Sequence, residues 1–342
     1  MSGYDYKTYE SCRLYQKSYK NGLVNLGNTC YLNVSVMALS NCLGFTHYFV
    51  SNSFAKVADR KKPEYNILAV YLKTLGALLG EKVISVKPVS LHTSLLKYTG
   101  NFEKNKQHDA YECMLSILDI IHKSLSFTPE VGPDDKTVHR HVYESQKEFN
   151  THFKNDWSVI TELFFGQTIQ KIKCTDCRKV SRSYHPFLGM NLPVLSKKGM
   201  ITSIYDLLNF YYSKQQIEKE CEACKKNTKH TMKSKIIKLP KYLIVHFNRF
   251  NNDLSKKNDL IAFASDLEVS DYTVPIKDST SYELISVINH YNMSLDTGHY
   301  TCINRTFDGQ WVFIDDTNVI NIEPTDVCTK EAYILIYELN EF

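Results

Sequence analysis

The sequence predicts an α+β fold, a helical half followed by a strand-rich half, from a change of texture near residue 165. Before it, apolar residues recur at helical spacing; after it, short runs of β-branched and aromatic residues take over. NTCYLNVSVMALSNCL sets Leu32, Val36, Leu39 and Leu43 on one helical stripe, and YNILAVYLKTLGALL and AYECMLSILDIIHKSL repeat the habit. About Asn21 to Ser126 therefore reads as a helical subdomain. Pro129 to Asp135 (PEVGPDD) reads as a loop, and a polar helical segment follows to about Leu163. Strands are expected in QTIQKIKC, KHTMKSKIIKL, YLIVHFNRF and YELISVINHY, interrupted by a short helix over Ser203 to Lys214 with Ser203 as its N-cap. No fixed-period repeat occurs, which excludes a solenoid.

Composition bounds the function classes. The 342 residues are 43% hydrophobic and 23% charged, with 41 Lys plus Arg against 37 Asp plus Glu. That is ordinary globular chemistry, and a net charge of +4 does not by itself mark a nucleic-acid binder. Lysines break the longest apolar stretches before the roughly 18 to 20 residues needed to cross a bilayer. The N-terminal MSGYDYKTYESCRLYQK has no apolar core, so no secretory signal is read and an intracellular, reducing setting is expected.

Ten cysteines divide into two C-x2-C pairs, Cys174 with Cys177 and Cys221 with Cys224, and six singletons. A C-x2-C turn presents two sulfurs from one knuckle, and two knuckles complete a tetrahedral thiolate site. The pairs lie in polar, turn-like settings, KCTDCRK and ECEACKK, and a structural Zn2+ is expected there, since four protein ligands leave no open position. Lys225, Lys226, Lys229, Lys233 and Lys235 near the second knuckle read as a solvated strand face.

Among the singletons, Cys30 follows Gly27-Asn28-Thr29 and opens an amphipathic stretch, which puts its sulfur near a helix N-terminus, where a thiolate is favoured. Cys42, Cys113, Cys302 and Cys328 read as small buried hydrophobes. A cysteine nucleophile needs a base. His299 follows Gly298, which permits close approach of another backbone, and leads into a strand-like run, Tyr300 to Arg305. A hairpin through Asp308-Gly309 brings the acid-ended strand WVFIDD back, with Asp315 beside His299 as its orienter. Asp316 could share the task, although adjacent strand residues face opposite ways.

GLVNLGNTCYLN, Gly22 to Asn33, resembles the cysteine box of the ubiquitin-specific proteases, and Gly298-His299-Tyr300 with Trp311 and Asp315-Asp316 resembles their histidine box. Gln107-His108-Asp109-Ala110, LFFG before the first C-x2-C, and LIVHFNRF match further family segments in order. The resemblance implies a papain-like hand with a helical thumb (about 21–160), zinc-bearing β fingers (about 165–240) and a β palm (about 241–340), after an N-terminal extension, 1–20. It implies Cys30 as nucleophile, His299 as base and then acid, Asp315 as orienter and Asn25 as oxyanion-hole donor. Gln107, Asp109, Gly298 and Tyr300 would bind the substrate's Gly-Gly tail, and one Zn2+ would bind the four paired cysteines. The implied activity is thioester-mediated hydrolysis after the C-terminal Gly-Gly of ubiquitin. A protease for another modifier and a weakly catalytic ubiquitin-binding homologue are the alternatives. Ubiquitin and ubiquitinated proteins are the implied partners, with no nucleic acid, no membrane and a monomeric chain expected. Val34, Met37, Tyr111, Cys113, Phe247-Asn248 and Asn292 depart from the usual family residues.

Overall fold

The computed structural model describes residues 21–80, 85–130, 140–195, 201–251, 255–275, 279–292 and 298–340. The expected extension, 1–20, and most of the PEVGPDD loop lie outside the described residues. Eight α-helices are described: α1 (Cys30–Ser40), α2 (Leu43–Val50), α3 (Tyr65–Leu78), α4 (Val89–Thr99), α5 (Ala110–Leu125), α6 (Arg140–His152), α7 (Val159–Leu163) and α8 (Ile204–Tyr211). All but α8 precede residue 165, as the periodicity predicts. Asp109 caps α5, accepting the backbone N–H groups of Tyr111 and Glu112, and Ser203 caps α8, accepting that of Asp206.

The strands begin with β1 (Gly166–Cys174), β2 (Val180–Phe187), β3 (Met190–Pro193), β4 (Thr202–Ser203), β5 (Gln215–Cys221), β6 (Lys226–Lys238) and β7 (Tyr242–Asn248). They continue with β8 (Ile261–Ala262), β9 (Asp266–Glu268), β10 (Ser281–Tyr291), β11 (His299–Arg305), β12 (Trp311–Asp315), β13 (Asn318–Ile322) and β14 (Ala332–Leu339). A four-stranded sheet, β2-β1-β6-β5, is the fingers; a larger sheet, β13-β12-β11-β10-β14-β7-β3 with β9 on β10, is the palm. β3 pairs parallel with β7 and α8 packs beside it, so a piece of the 165–240 stretch belongs to the palm.

The palm sheet is covered on both faces, which explains the unbroken apolar runs YLIV and YILIY. Ile244, Ile288, Ile334 and Ile336 join the core of the helical half; Leu243, Val245, Val287 and Leu335 face the opposite way, into a core shared with α8 and β8. Between the palm and the thumb lies α1, packed on α5 and β11, and all eleven of its residues are buried. The sequence suggests an amphipathic helix here; the structure corrects this, because α1 is enclosed on every side and its Asn33 and Ser35 find polar partners inside. Val34 and Met37 also lie in this core. Asn292, at a position where the family commonly has Gly, has φ 85°, a left-handed backbone that Asn tolerates better than most residues.

Candidate active site

Cys30 opens α1 and is buried. The preceding turn is held by Asn25, whose Oδ1 accepts the backbone N–H groups of Gly27 (3.0 Å) and Thr29 (3.1 Å). Gly27 and Asn28 both take positive φ there, 94° and 60°. Because Asn25 Oδ1 faces these donors, its amide nitrogen points the other way and donates to Asp316 Oδ2 at 3.0 Å. Only one of the two amide hydrogens is used in that bond.

β10, β11 and β12 supply the opposite wall. β11 and β12 form the hairpin expected through Asp308-Gly309, and Gly309 has φ 84°. Extending the register from Cys302 opposite Ile314 sets Asp315 opposite Thr301, on the same sheet face as His299 and one diagonal step away. His299 Nε2 lies 2.6 Å from Asp315 Oδ1, leaving Nδ1 for Cys30. The Cys30 sulfur, then Asp315, hold the His299 imidazolium and raise its pKa to about 9, against the partial burial that would lower it. The described histidines whose protonation is otherwise displaced, His47, His92, His122, His246 and His290, all move down, with burial the leading cause. His290 is the sharpest contrast: it pairs with Tyr300 on β11, just behind Gly298, and is lowered to about 3 by burial and by Lys256.

Gly298 has no room for a side chain, since a Cβ would fall 2.5 Å from both His290 Nε2 and the Tyr291 carbonyl oxygen. Its own carbonyl accepts Gln107 Nε2 at 2.5 Å, tying the segment before α5 to the palm. Asp109 uses Oδ1 to cap α5 and Oδ2 to accept the Tyr333 hydroxyl. Tyr300 lies in the core between α1 and the palm, not on the surface of the cleft. Tyr111 stacks on His246 with ring centroids 4.3 Å apart.

Asp316 also lies within 4.8 Å of the His299 ring, but the hydrogen bond to the ring is made with Asp315. Asp316 leaves the strand at φ 52°, and its carboxylate accepts Asn25 Nδ2 and Asn33 Nδ2, the latter at 2.7 Å. Asn33 is not among the residues the sequence singles out; an amide side chain among mainly apolar residues is its available signal.

At the end of the fingers the four paired cysteines bring their sulfurs within 4.8 Å of one another. Cys177 and Cys221 are 3.6 Å apart and Cys174 and Cys224 are 4.0 Å, close to the edge of about 3.8 Å that a tetrahedron of 2.3 Å metal–sulfur bonds requires. Arg178 and Lys225, one after each knuckle, take positive φ. Backbone N–H groups of Cys224 and Ala223 hold the Cys221 thiol down to about 6, whereas neighbouring sulfurs, Cys177 first, push Cys224 up to about 12. Four thiolates at this spacing need a cation, and the donor set fits a metal ion. Of the singletons, Cys42, Cys113 and Cys302 are buried and their thiols are pushed up by burial, as expected. Cys328 is exposed, contrary to expectation, because it sits on the loop before β14.

A family model described as Ubiquitin carboxyl-terminal hydrolase matches residues 21–337. The chain belongs to the ubiquitin carboxyl-terminal hydrolase family. It is 28% identical over 366 residues to Ubiquitin carboxyl-terminal hydrolase 4 of Saccharomyces cerevisiae, covering 94% of this chain and 39% of that protein. It is likewise 28% identical to Ubiquitin carboxyl-terminal hydrolase 3 of Homo sapiens, covering 92% of this chain and 67% of the relative. The chain thus spans about two fifths of the yeast relative's length. Among solved structures, a chain of the SAGA Ubp8/Sgf11/Sus1/Sgf73 DUB module bound to ubiquitin aldehyde superposes with a TM-score of 0.77 at 22% identity, over 95% of this chain and 71% of that one. This likeness concerns the fold. That neighbour sits in a multi-protein module, which lends the expectation of a monomer no support. No described helix is long and apolar enough to cross a membrane.

The His299 environment has a pH signature. With its pKa raised above the unfolded value of about 6.5, His299 stabilises the fold fully below that value, and the contribution is lost as pH rises through about 9. Titration of the His299 ring by NMR should give a midpoint near 9 in the parent chain and a clearly lower one in Cys30→Ala. An unchanged midpoint in that variant would place the sulfur out of reach of the ring.

Proposed function

We propose that this chain is a cysteine-dependent deubiquitinase that hydrolyses the isopeptide or peptide bond after the C-terminal Gly-Gly of ubiquitin. The observation that carries the reading is the environment of His299, the described histidine whose protonation is displaced upward, held between Cys30 and Asp315 in a chain of this family.

The arrangement of the cleft supports a role for one residue at each step. Cys30 reacts as the thiolate of an ion pair with protonated His299, its sulfur attacking the carbonyl carbon of the terminal glycine. Charge moves onto the carbonyl oxygen, where the second hydrogen of Asn25 Nδ2 donates to it. Asp316, by accepting the first hydrogen, fixes the direction of the second, and so acts as a positioning residue. The His299 imidazolium gives its proton to the leaving amine, the C–N bond breaks, and a thioester remains on Cys30. Neutral His299 then takes a proton from water, the water oxygen attacks the thioester, and the C–S bond breaks to free the carboxylic acid, which gives its remaining proton to solvent, and to restore the ion pair. Asp315 holds Nε2 throughout, which keeps Nδ1 toward the sulfur.

Glycine at both substrate positions suits the narrow gap between thumb and palm that Gln107 and Gly298 close. Gln107, Asp109, Gly298 and Tyr300 shape that gap: Gln107 and Gly298 as its rim, Asp109 as an acceptor for tail donors, and buried Tyr300 as support behind Gly298. Every group of the proposed chemistry comes from one chain. Cys174, Cys177, Cys221 and Cys224 would hold one Zn2+, which when bound ties two knuckles of the fingers together and has no part in the reaction. Free thiolates in both roles suit a reducing, intracellular setting.

Two measurements test this. Purified chain should release a fluorophore from the C-terminus of ubiquitin, and Cys30→Ala should abolish the release while remaining folded with its zinc bound. Preferential release from another ubiquitin-like modifier would transfer the reading to that substrate; folded protein inactive on every modifier would overturn it. Cys221→Ser should lower bound zinc below one ion per chain and lower the melting temperature. Unchanged zinc content would contradict the four-cysteine site.

A further inference from the structure

The fingers sheet carries an uneven charge. Lys171 of β1 stands directly opposite Arg182 of β2 on one side and Lys233 of β6 on the other, and Lys173 lies two residues along β1 on the same face. All four are exposed. On the reverse face the neighbouring set, Gln170, Ser183 and Ser234, is uncharged. Like charges directly opposite one another destabilise a sheet, so a row of three across adjacent strands runs against the usual pairing.

No described carboxylate lies within ion-pair distance of this row. The fingers' ion pairs, Lys179 with Glu222 and Lys226 with Asp176, involve other residues. Lys229 has Glu218 opposite it, but no carboxylate pairs with Lys171, Lys173, Arg182 or Lys233. Nearer the palm the same face is covered by α6, through Ser145 on Gln167 and Phe149 under Lys238. Glu144 on that helix is already bonded to Arg140, His141 and Tyr184, and Glu148 lies within electrostatic reach of Tyr184.

We infer that this face of the fingers, centred on Lys171, Arg182 and Lys233, docks an extended acidic segment of a partner protein. Cations stand about 5 Å apart across the strands and about 6.7 Å apart along β1. The second spacing is the repeat of alternate side chains in an extended peptide, so two alternating carboxylates can meet Lys171 and Lys173 while Arg182 and Lys233 flank them on the neighbouring strands. Single-stranded nucleic acid fits less well, because binding it relies on aromatic faces for base stacking, and Tyr184, the aromatic side chain on this face, is tied to Glu144 beside α6.

The test uses the full chain and a labelled peptide of alternating glutamates, followed by fluorescence anisotropy. Binding should weaken about tenfold or more in Lys171→Glu/Arg182→Glu/Lys233→Glu, and should weaken in the parent chain as salt rises. Ubiquitin-reporter KM should stay the same in that variant. Equal peptide affinity in parent and variant, or tighter binding of an oligothymidylate that displaces the peptide, would overturn the inference. A raised reporter KM would also overturn it, by assigning the face to the grip on ubiquitin. Independently of any ligand, Lys171→Thr should raise the melting temperature at low salt and lose that gain at high salt; a fall at low salt would contradict the mutual repulsion.

Discussion

Two consecutive aspartates at the end of β12 divide the work on which the cleft depends. Asp315 is still in the strand and faces His299; Asp316 turns out of it with a left-handed backbone and reaches Asn25 and Asn33. The main chain joins in, since the Asp316 carbonyl accepts the N–H of Leu23. Gly22 is required beside it, because a Cβ there would lie 2.1 Å from that oxygen. One turn of palm backbone thus fixes the entry into α1, the amide of Asn25 and the ring of His299 at once. Charge-assisted bonds of this kind are stronger than neutral ones, and most of these are partly shielded from water.

The protein applies opposite environments to chemically identical groups. His290 and His299 lie on paired strands, yet burial beside a lysine keeps one neutral while a sulfur and a carboxylate keep the other charged. The cysteines show the same division. Cys113 and Cys302 are buried and burial pushes their thiols up, whereas Cys30 begins a helix and its sulfur faces the His299 ring. What distinguishes the proposed nucleophile is its surroundings, not its residue type.

Much of this was legible before the fold was known, where the signal is local. The hairpin through Asp308-Gly309, the Ser203 cap, the cysteine knuckles and the glycine before His299 all rest on residues close in sequence. The unread part depends on contacts between distant residues. The partner of Asp316 is 291 residues away, so no local pattern assigned its role. The complete enclosure of α1 follows from its position between α5 and the palm, which its own periodicity does not encode. β3 and α8 belong to the palm for a similar reason, through pairing with a strand that comes about fifty residues later. Cys328 reads as one more apolar cysteine until the loop that carries it is placed at the surface.

The central claim is that Asp316 acts through Asn25, while Asp315 acts through His299. A double-mutant cycle on kcat for the ubiquitin reporter tests it most directly. Asn25→Ala and Asp316→Ala should each lower kcat by about 10- to 1000-fold, and the double variant should be no slower than the worse of the two. Losses that multiply, or an Asp316→Ala chain with the parent rate, would contradict it.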